Sequence, residues 1–143
     1  RMKYILDSAV FINTDAFPFS SKDEYLMPSA CEEEVKERLA KLRLDAALQQ
    51  HDNFTITDPC AHSLSVVRSW ARAQGNTRLS SADEAVLALA FESLDRKEPV
   101  CVYTDDYSIQ NILRVANIRF SGVLQKGITK PRSFAKKPVS KGA

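Results

Sequence analysis

Short apolar runs alternate with amphipathic stretches along this chain. Runs over 3–7, 25–27, 54–57, 100–103 and 118–124 have the length and residue types of β-strands. The run over 100–103 (VCVY) has no polar position, as expected for an interior strand of a parallel sheet. Residues at helical spacing between these runs predict helices over 30–50, 59–75 and 81–94, and a short one after Asp106. Alternating strands and helices predict one α/β domain with a mainly parallel sheet.

The helix boundaries follow from capping residues and apolar spacing. Asp58 is predicted to cap the second long helix, with Pro59 in its first turn, and Ser80 to cap the third. The third helix is apolar nearly all round and should be buried on more than one side. In the first, the apolar face is predicted to consist of Val35, Leu39, Leu42 and Ala46, with Leu44 and Leu48 as further candidates.

Composition narrows the class of protein. Hydrophobic residues make up 44% and charged residues 27% of the 143 residues, as in ordinary globular domains. No apolar stretch approaches the roughly 20 residues that span a membrane, and an acid comes too early in the chain for a secretory signal. The three cysteines form no CxxC pair, which argues against a zinc ribbon and for buried thiols in the reducing cytoplasm.

The basic residues are concentrated at the end of the chain. Residues 122–143 carry six basic side chains and no acid, whereas the rest has a net charge of −4. The sequence therefore predicts a folded domain over 2–125 and a basic tail over 126–143 that binds a polyanion such as RNA. A tail that only increases solubility is the alternative. The tail residues predicted to bind RNA are Lys126, Lys130, Arg132, Lys136 and Lys137.

Four separate acidic residues lie at predicted strand ends or helix starts. Asp7 and Asp105 end apolar strands, and Glu34 and Asp83 lie near helix N-termini. Ligands of parallel sheets bind beyond the carboxyl ends of the strands, where such residues can meet. A carboxylate cluster without histidine or thiolate ligands suits Mg²⁺ or Mn²⁺, which commonly assist phosphoryl chemistry.

Each acid also has a purely structural interpretation. Asp83 follows Ser80 by three residues and would complete a capping box, and Asp105 or Asp106 would cap the next helix. The run around Glu34 would be a solvated helix face. Two phenylalanines in the first loop, at 17 and 19, are predicted to fold back on the core, with base stacking as the alternative.

Five segments occur in a recognisable order: YILDSAVFI over 4–12, EEEVKER over 32–38, LSSADEAVLALAFE over 79–92, YTDDYSIQNI over 103–112 and RFSGVLQKGITK over 119–130. Together they resemble the PIN-domain nucleases and, more narrowly, the Nin-one-binding family of pre-rRNA endonucleases. The resemblance covers most of residues 3–130. It implies a PIN-like three-layer fold, with a twisted, mainly parallel sheet of about five strands between helices.

The resemblance also implies roles for individual residues. The family's catalytic, metal-holding acids correspond to Asp7, Glu34, Asp83 and Asp105. Glu33 is the alternative to Glu34, because the run of three glutamates permits a slip of one residue. Asp106 matches a further acid that supports metal binding, and Ser8 and Thr104 match hydroxyl positions beside the site.

The function implied is Mg²⁺- or Mn²⁺-dependent hydrolysis of single-stranded RNA, with small-subunit pre-rRNA as substrate and the small ribosomal subunit as a possible partner. Products would carry a 5′-phosphate and a 3′-hydroxyl. Family members usually continue into a zinc ribbon, for which this chain has no cysteines. A toxin-type PIN ribonuclease and a catalytically silent RNA- or protein-binding module remain the alternatives.

Overall fold

A computed structural model describes residues 1–75 and 78–124 of the chain. The predicted basic tail, with the RNA-binding roles assigned to Lys126, Lys130, Arg132, Lys136 and Lys137, lies outside the described residues.

In residues 1–75 and 78–124, five short strands form one sheet, as predicted. They are β1 (Lys3–Leu6), β2 (Glu24–Met27), β3 (Phe54–Ile56), β4 (Val100–Tyr103) and β5 (Arg119–Ser121). Every pairing is parallel, and the spatial order is β3-β2-β1-β4-β5. From β1 the chain adds β2 and β3 on one side, and it then crosses back to add β4 and β5 on the other side. The strand order therefore reverses between β1 and β4. Ligands of such sheets bind at this point, beyond the carboxyl ends of the strands.

Within the described part of the chain, six helices connect the strands. They are α1 (Ala9–Ile12), α2 (Ser29–Glu34), α3 (Arg38–Gln50), α4 (Ala61–Ala73), α5 (Ser81–Asp95) and α6 (Tyr107–Val115). Helix α5 packs on β1 and β4 and contacts α2, α4 and α6, whereas α1 packs against α3. Right-handed crossovers place the helices that precede and follow β4 on one face of the sheet and those between β1 and β3 on the other. The result is the three-layer arrangement that the sequence predicted.

Helix α5 is the centre of the core. Every side chain from Ala85 to Ala90 is buried, which confirms that this apolar helix is covered on more than one side. Ser80 caps it by accepting a hydrogen bond from the Asp83 amide, and Asp83 accepts one in return from the Ser80 amide. The predicted capping box is therefore present.

The helix predicted over 30–50 is in fact two helices. The backbone leaves helical geometry at Val35, whose ψ is 90°, and α3 starts again after Glu37. The Glu37 carboxylate accepts hydrogen bonds from the amides of Leu39 and Ala40, so it caps α3. Val35 is buried in the extended link between the helices.

That break changes which face of α3 is buried. Leu39 and Leu42, predicted for the core, are 58% and 57% exposed, and Ala46 is also exposed. The buried side chains are Ala40, Leu44 and Ala47. Of the predicted face, Val35 and Leu44 are buried and Leu48 packs against the core, whereas the prediction for Leu39, Leu42 and Ala46 was wrong. The face was counted in phase with α2, and the extended link resets the helical phase.

The predicted cap at Asp58 was also wrong. Helix α4 begins at Ala61, and the Asp58 carboxylate instead accepts hydrogen bonds from the amide and hydroxyl of Ser29 at the start of α2. Asp58 thus caps a different helix from the one that follows it. The described residues contain no helix with the length and apolar character needed to cross a membrane.

Candidate active site

Asp7 lies at the reversal point of the sheet. It follows β1, and its amide donates a hydrogen bond to the carbonyl of Tyr103 at the end of β4. The Thr104 hydroxyl, which is completely buried, donates to Asp7 Oδ2 at 2.8 Å. The carboxyl ends of the two central strands therefore fix both the backbone and the side chain of this acid.

Ser8 connects Asp7 to Glu34. Its amide donates to Asp7 Oδ1 at 2.6 Å, and its hydroxyl lies 2.9 Å from Glu34 Oε1 and 3.4 Å from Asp7 Oδ1. A serine hydroxyl has a single proton, so the shorter contact identifies Glu34 as its acceptor. Within the described residues, the glutamate that contacts Ser8 is Glu34, the last residue of α2, and not Glu33.

A buried thiol completes this group. Cys31 Sγ lies 3.9 Å from Asp7 Oδ1, and one ligand atom from each of Asp7, Cys31 and Glu34 lies within 4.8 Å of the others. Burial and the neighbouring carboxylates raise the pKa of the Cys31 thiol, so it stays protonated. Asp7 Oδ1 and the Ala82 carbonyl, at 3.9 and 4.0 Å, are the acceptors within reach of its one proton. The sequence predicted Cys31 only as a buried apolar residue. It lies three residues before Glu34 in α2, and this spacing puts both side chains on the same side of the helix.

Asp83 faces the same region from the start of α5. Its Oδ2 accepts from the Ser80 amide, which is its structural role. Burial raises the pKa of Asp83, and the negative charges of Asp106 and Asp7 add to that rise. Asp83 therefore combines the capping role with electrostatic contact to other acids of the site.

Asp105 is held differently from the other predicted acids. Its Oδ1 accepts from the amides of Val123 and Leu124, at 2.6 and 3.3 Å, and its Oδ2 accepts from Asn13 Nδ2 at 2.8 Å. The described hydrogen bonds of its side chain do not join it to the other predicted acids. Asn13, which sequence reasoning did not single out, fixes this carboxylate; no spacing signal in the chain marks it.

Asp106 is the N-cap of α6. Its carboxylate accepts from the amides of Ser108 and Ile109, and its own amide donates to the Thr104 hydroxyl. Thr104 thus receives a bond from Asp106 and donates one to Asp7. Since the charge of Asp106 also acts on Asp83, this acid is electrostatically linked to the group.

Among the described residues, no basic side chain pairs with the acids that meet at Asp7. Burial, reinforced by the charge of Glu34, raises the pKa of Asp7, and the Thr104 and Ser8 hydrogen bonds only partly oppose this. Within residues 1–75 and 78–124, no ion pair includes Asp7, Glu34 or Asp83. Neighbouring carboxylates without a basic partner are stabilised by a bound cation, and their oxygen donors match Mg²⁺ and Mn²⁺. The residues present therefore fit a divalent metal.

Comparison with known proteins agrees with this geometry. The family described as the PIN domain of ribonuclease matches residues 4–92. Endoribonuclease Nob1 of Methanothermobacter thermautotrophicus is 37% identical over 128 residues, which are 89% of this chain and 72% of that protein. Nob1 of Pyrococcus abyssi is 31% identical over 91% of this chain and 73% of its own length. Ribonuclease VapC3 of Aeropyrum pernix is 32% identical over 87% of this chain and 91% of its own length.

Solved structures support the fold. VapBC2 from Rickettsia felis superposes with a TM-score of 0.55, covering 85% of this chain and 98% of that one, at 15% identity. The PIN domain endonuclease Utp24 gives a TM-score of 0.52 over 85% of this chain and 84% of its own, also at 15% identity. The family match and the relatives together show that this chain belongs to the PIN-domain ribonucleases and is an endoribonuclease similar to Nob1.

Proposed function

We propose that the chain is a Mg²⁺- or Mn²⁺-dependent endoribonuclease that cuts single-stranded RNA in a small-subunit rRNA precursor, in the cytoplasm. The observation that carries the metal-dependent chemistry is the Ser8 link between Asp7 and Glu34 at the reversal point of the sheet. Similarity to Nob1 over about nine tenths of the chain supports the substrate class.

The side chains of the site have separate tasks in this proposal. Asp7 and Glu34 would hold the metal through carboxylate oxygens, with Asp83 adding negative charge from α5. Thr104 fixes Asp7 Oδ2, and Ser8 fixes the distance between the two carboxylates. The Cys31 thiol fills the buried side of the group. When bound, the metal would supply positive charge that lowers the pKa of water and offsets charge on the scissile phosphate.

The roles of Asp105 and Asp106 follow from their bonds. Asp105 would hold the segment after β5 to the loop after α1, through Val123 and Asn13. Asp106 would start α6 and add charge beside Asp83. The catalytic role that the resemblance assigns to Asp105 stays a prediction.

Cleavage of a defined RNA tests the function. A single-stranded RNA spanning the mature end of small-subunit rRNA would be incubated with Mn²⁺ and either the wild-type chain or its Asp7→Asn variant. We expect a discrete cut with a 5′-phosphate from the wild type and a loss of about 100-fold or more in the variant. Asp95→Asn, at an exposed position near the end of α5, is the matched control and should cut normally.

Equal cleavage by the wild type and Asp7→Asn would refute the proposal, because a contaminating nuclease would then explain the activity. Cleavage without any preference for the rRNA end would leave the nuclease chemistry standing and remove the substrate assignment.

A toxin-type ribonuclease is the second candidate. VapC3 of Aeropyrum pernix aligns over a larger share of its own length than the Nob1 relatives do, which favours it. Induced expression in a bacterial host distinguishes the two. Growth arrest that depends on Asp7 and is relieved by the product of a neighbouring gene would favour the toxin, and normal growth would favour rRNA processing.

A further inference from the structure

A cavity of about 280 Å³ lies between α1, the loop that follows it and α3. Its walls include Phe11 of α1, Phe19 of the loop, and Arg43, Ala46 and Gln50 of α3. The volume lies at the lower end of the range for small-molecule sites, so it suits a single planar ring system. None of the acids of the candidate active site lines it.

One wall of the cavity is aromatic. The Phe19 ring packs on Tyr25 and Phe54, which confirms that this loop folds back on the core. His51 stacks on Phe19 with ring centroids 4.4 Å apart and an interplanar angle of 24°. His51 is only partly buried and lines the cavity, so the ring is pre-positioned for a second planar group. Ordered aromatic rings of this kind are the platforms on which single-stranded bases stack.

A fixed guanidinium forms another part of the wall. Arg43 donates to the Phe11 carbonyl at 2.7 Å and pairs with Asp15 at 3.3 Å. A guanidinium has five N–H donors, and these two bonds, the ones its side chain makes within the described residues, leave three for a ligand. Because the group is already held in place, little conformational entropy is lost when it binds the edge of a base or a phosphate.

Basic side chains also lie in the segment of chain between the candidate active site and the cavity. Helix α3 begins four residues after Glu34; Lys36 lies in the link before it, Arg38 and Lys41 lie in its first turn, and all three are exposed. The one acid in this segment, Glu37, uses its carboxylate to cap the helix. Lys36, Arg38 and Lys41 outnumber Glu37, so the exposed side of this segment carries a net positive charge that is complementary to a phosphodiester backbone.

We propose that this cavity binds one unstacked nucleobase of the RNA, stacked on His51 and contacted by Arg43. This inference rests on the proposed function for the identity of the strand. It names a binding site at some distance from the bond that is cut.

Two variants and matched controls test the site. His51→Ala removes the stacking surface and Ala46→Trp fills the cavity from an exposed helix position. His62→Ala and Ala73→Trp make the same changes at exposed positions of α4. Binding of a short fluorescent single-stranded RNA would be measured without divalent metal, so that no cleavage occurs. We expect about tenfold weaker binding by the first pair and wild-type binding by the controls.

An abasic scan of the same RNA separates the base from the phosphates. Removing one base at a time should weaken wild-type binding about tenfold at one position, and that sensitivity should vanish in Ala46→Trp. Thermal unfolding would check that each variant is folded. If a variant fails to fold, the abasic scan with the wild-type chain tests the inference by itself. A scan in which no abasic position weakens binding overturns the inference.

The two proposals fail in different ways. An RNA that binds with one sensitive base but is not cut with Mn²⁺ contradicts the proposed function and leaves the base site standing. Metal-dependent cleavage with equal binding by all four variants contradicts the base site alone.

Discussion

Thr104 donates a hydrogen bond of 2.8 Å to Asp7 Oδ2, although 97 positions separate the two residues in sequence. The bond joins the ends of β1 and β4, the two strands between which the sheet order reverses. It opposes the effect of burial on the pKa of Asp7. A buried hydroxyl therefore both places this carboxylate and keeps it closer to its ionised form.

Removing that hydroxyl should shift the pH dependence of cleavage. In Thr104→Val the pKa of Asp7 rises further, so more of the acid is protonated at a given pH and the acidic limb of the rate profile moves to higher pH. The Asp106 amide also loses its acceptor, which should lower the free energy of unfolding by about 1–3 kcal/mol. Rate profiles and chemical denaturation measure the two effects. Thr55→Val, at an exposed position in β3, should change neither. An acidic limb that does not move would contradict the assignment.

Without metal, Asp7→Asn should gain stability relative to the wild type as pH rises. The pKa of Asp7 is raised in the folded state, so its stabilising contribution is present below about 3.8 and is lost as pH rises through the folded value. Each unit of that rise corresponds to about 1.4 kcal/mol. Denaturant titrations between pH 3 and 8, in the presence of a chelator, would give the difference in unfolding free energy. A difference that stays constant with pH would show that Asp7 ionises as in the unfolded chain.

Ser8→Ala should weaken metal binding while leaving the fold intact. The Ser8 amide still holds Asp7 Oδ1, but Glu34 loses the hydroxyl that fixes it. Loss of such an orienting hydrogen bond typically costs about 10- to 100-fold in metal affinity. Isothermal titration with Mn²⁺ measures it, with Ser65→Ala on the exposed side of α4 as control. Unchanged affinity would mean that Glu34 takes no part in binding the metal.

The capping and chemical roles of Asp83 should separate in two variants. Ser80→Ala removes the cap and should lower the unfolding free energy by about 1 kcal/mol while RNA cleavage continues. Asp83→Asn keeps an oxygen that can accept from the Ser80 amide but removes the charge, so it should lose cleavage with little loss of stability. Thermal unfolding and RNA cleavage are measured on both. The reverse pattern would leave Asp83 with the capping role alone.

Asp105→Asn should destabilise the fold. Both oxygens of Asp105 accept hydrogen bonds from amide donors, at Val123 and at Asn13. An asparagine can keep these bonds only if the Asn13 amide flips to accept from its NH₂ group. The charged acceptor is then replaced by a neutral one, which costs about 1 kcal/mol in unfolding free energy. Denaturant unfolding measures this, with Asp52→Asn at an exposed position as control. Full stability together with lost cleavage would instead support the catalytic role that the resemblance assigns to Asp105.

Several features could be predicted because they are local. The uninterrupted apolar run before Thr104 indicates an interior strand, and Ser80 and Asp83 have the spacing of a capping box. The position of Asp7 directly after β1 also follows from the end of an apolar run.

Other features escaped prediction because their causes are remote in sequence. The break before α3 lies at the buried residue Val35, and the apolar periodicity of the surrounding residues continues through it. Asp58 caps α2 from 29 residues away, although a proline beside it suggested a local cap. Nothing in the TDDY segment indicates that Asp105 turns towards Asn13.

The amino-acid sequence by itself determined the order of strands and helices, the parallel sheet and the places along the chain where acids end a strand or begin a helix. These depend on hydrophobic periodicity and capping, which act within a few residues. Only the tertiary structure decided that Ser8 joins Asp7 to Glu34 and that Cys31 lies against them. It also decided that Asp105 accepts its hydrogen bond from Val123 instead of joining this group. Those contacts depend on how distant elements pack, because a hydrogen bond forms only when packing brings donor and acceptor to within about 3 Å.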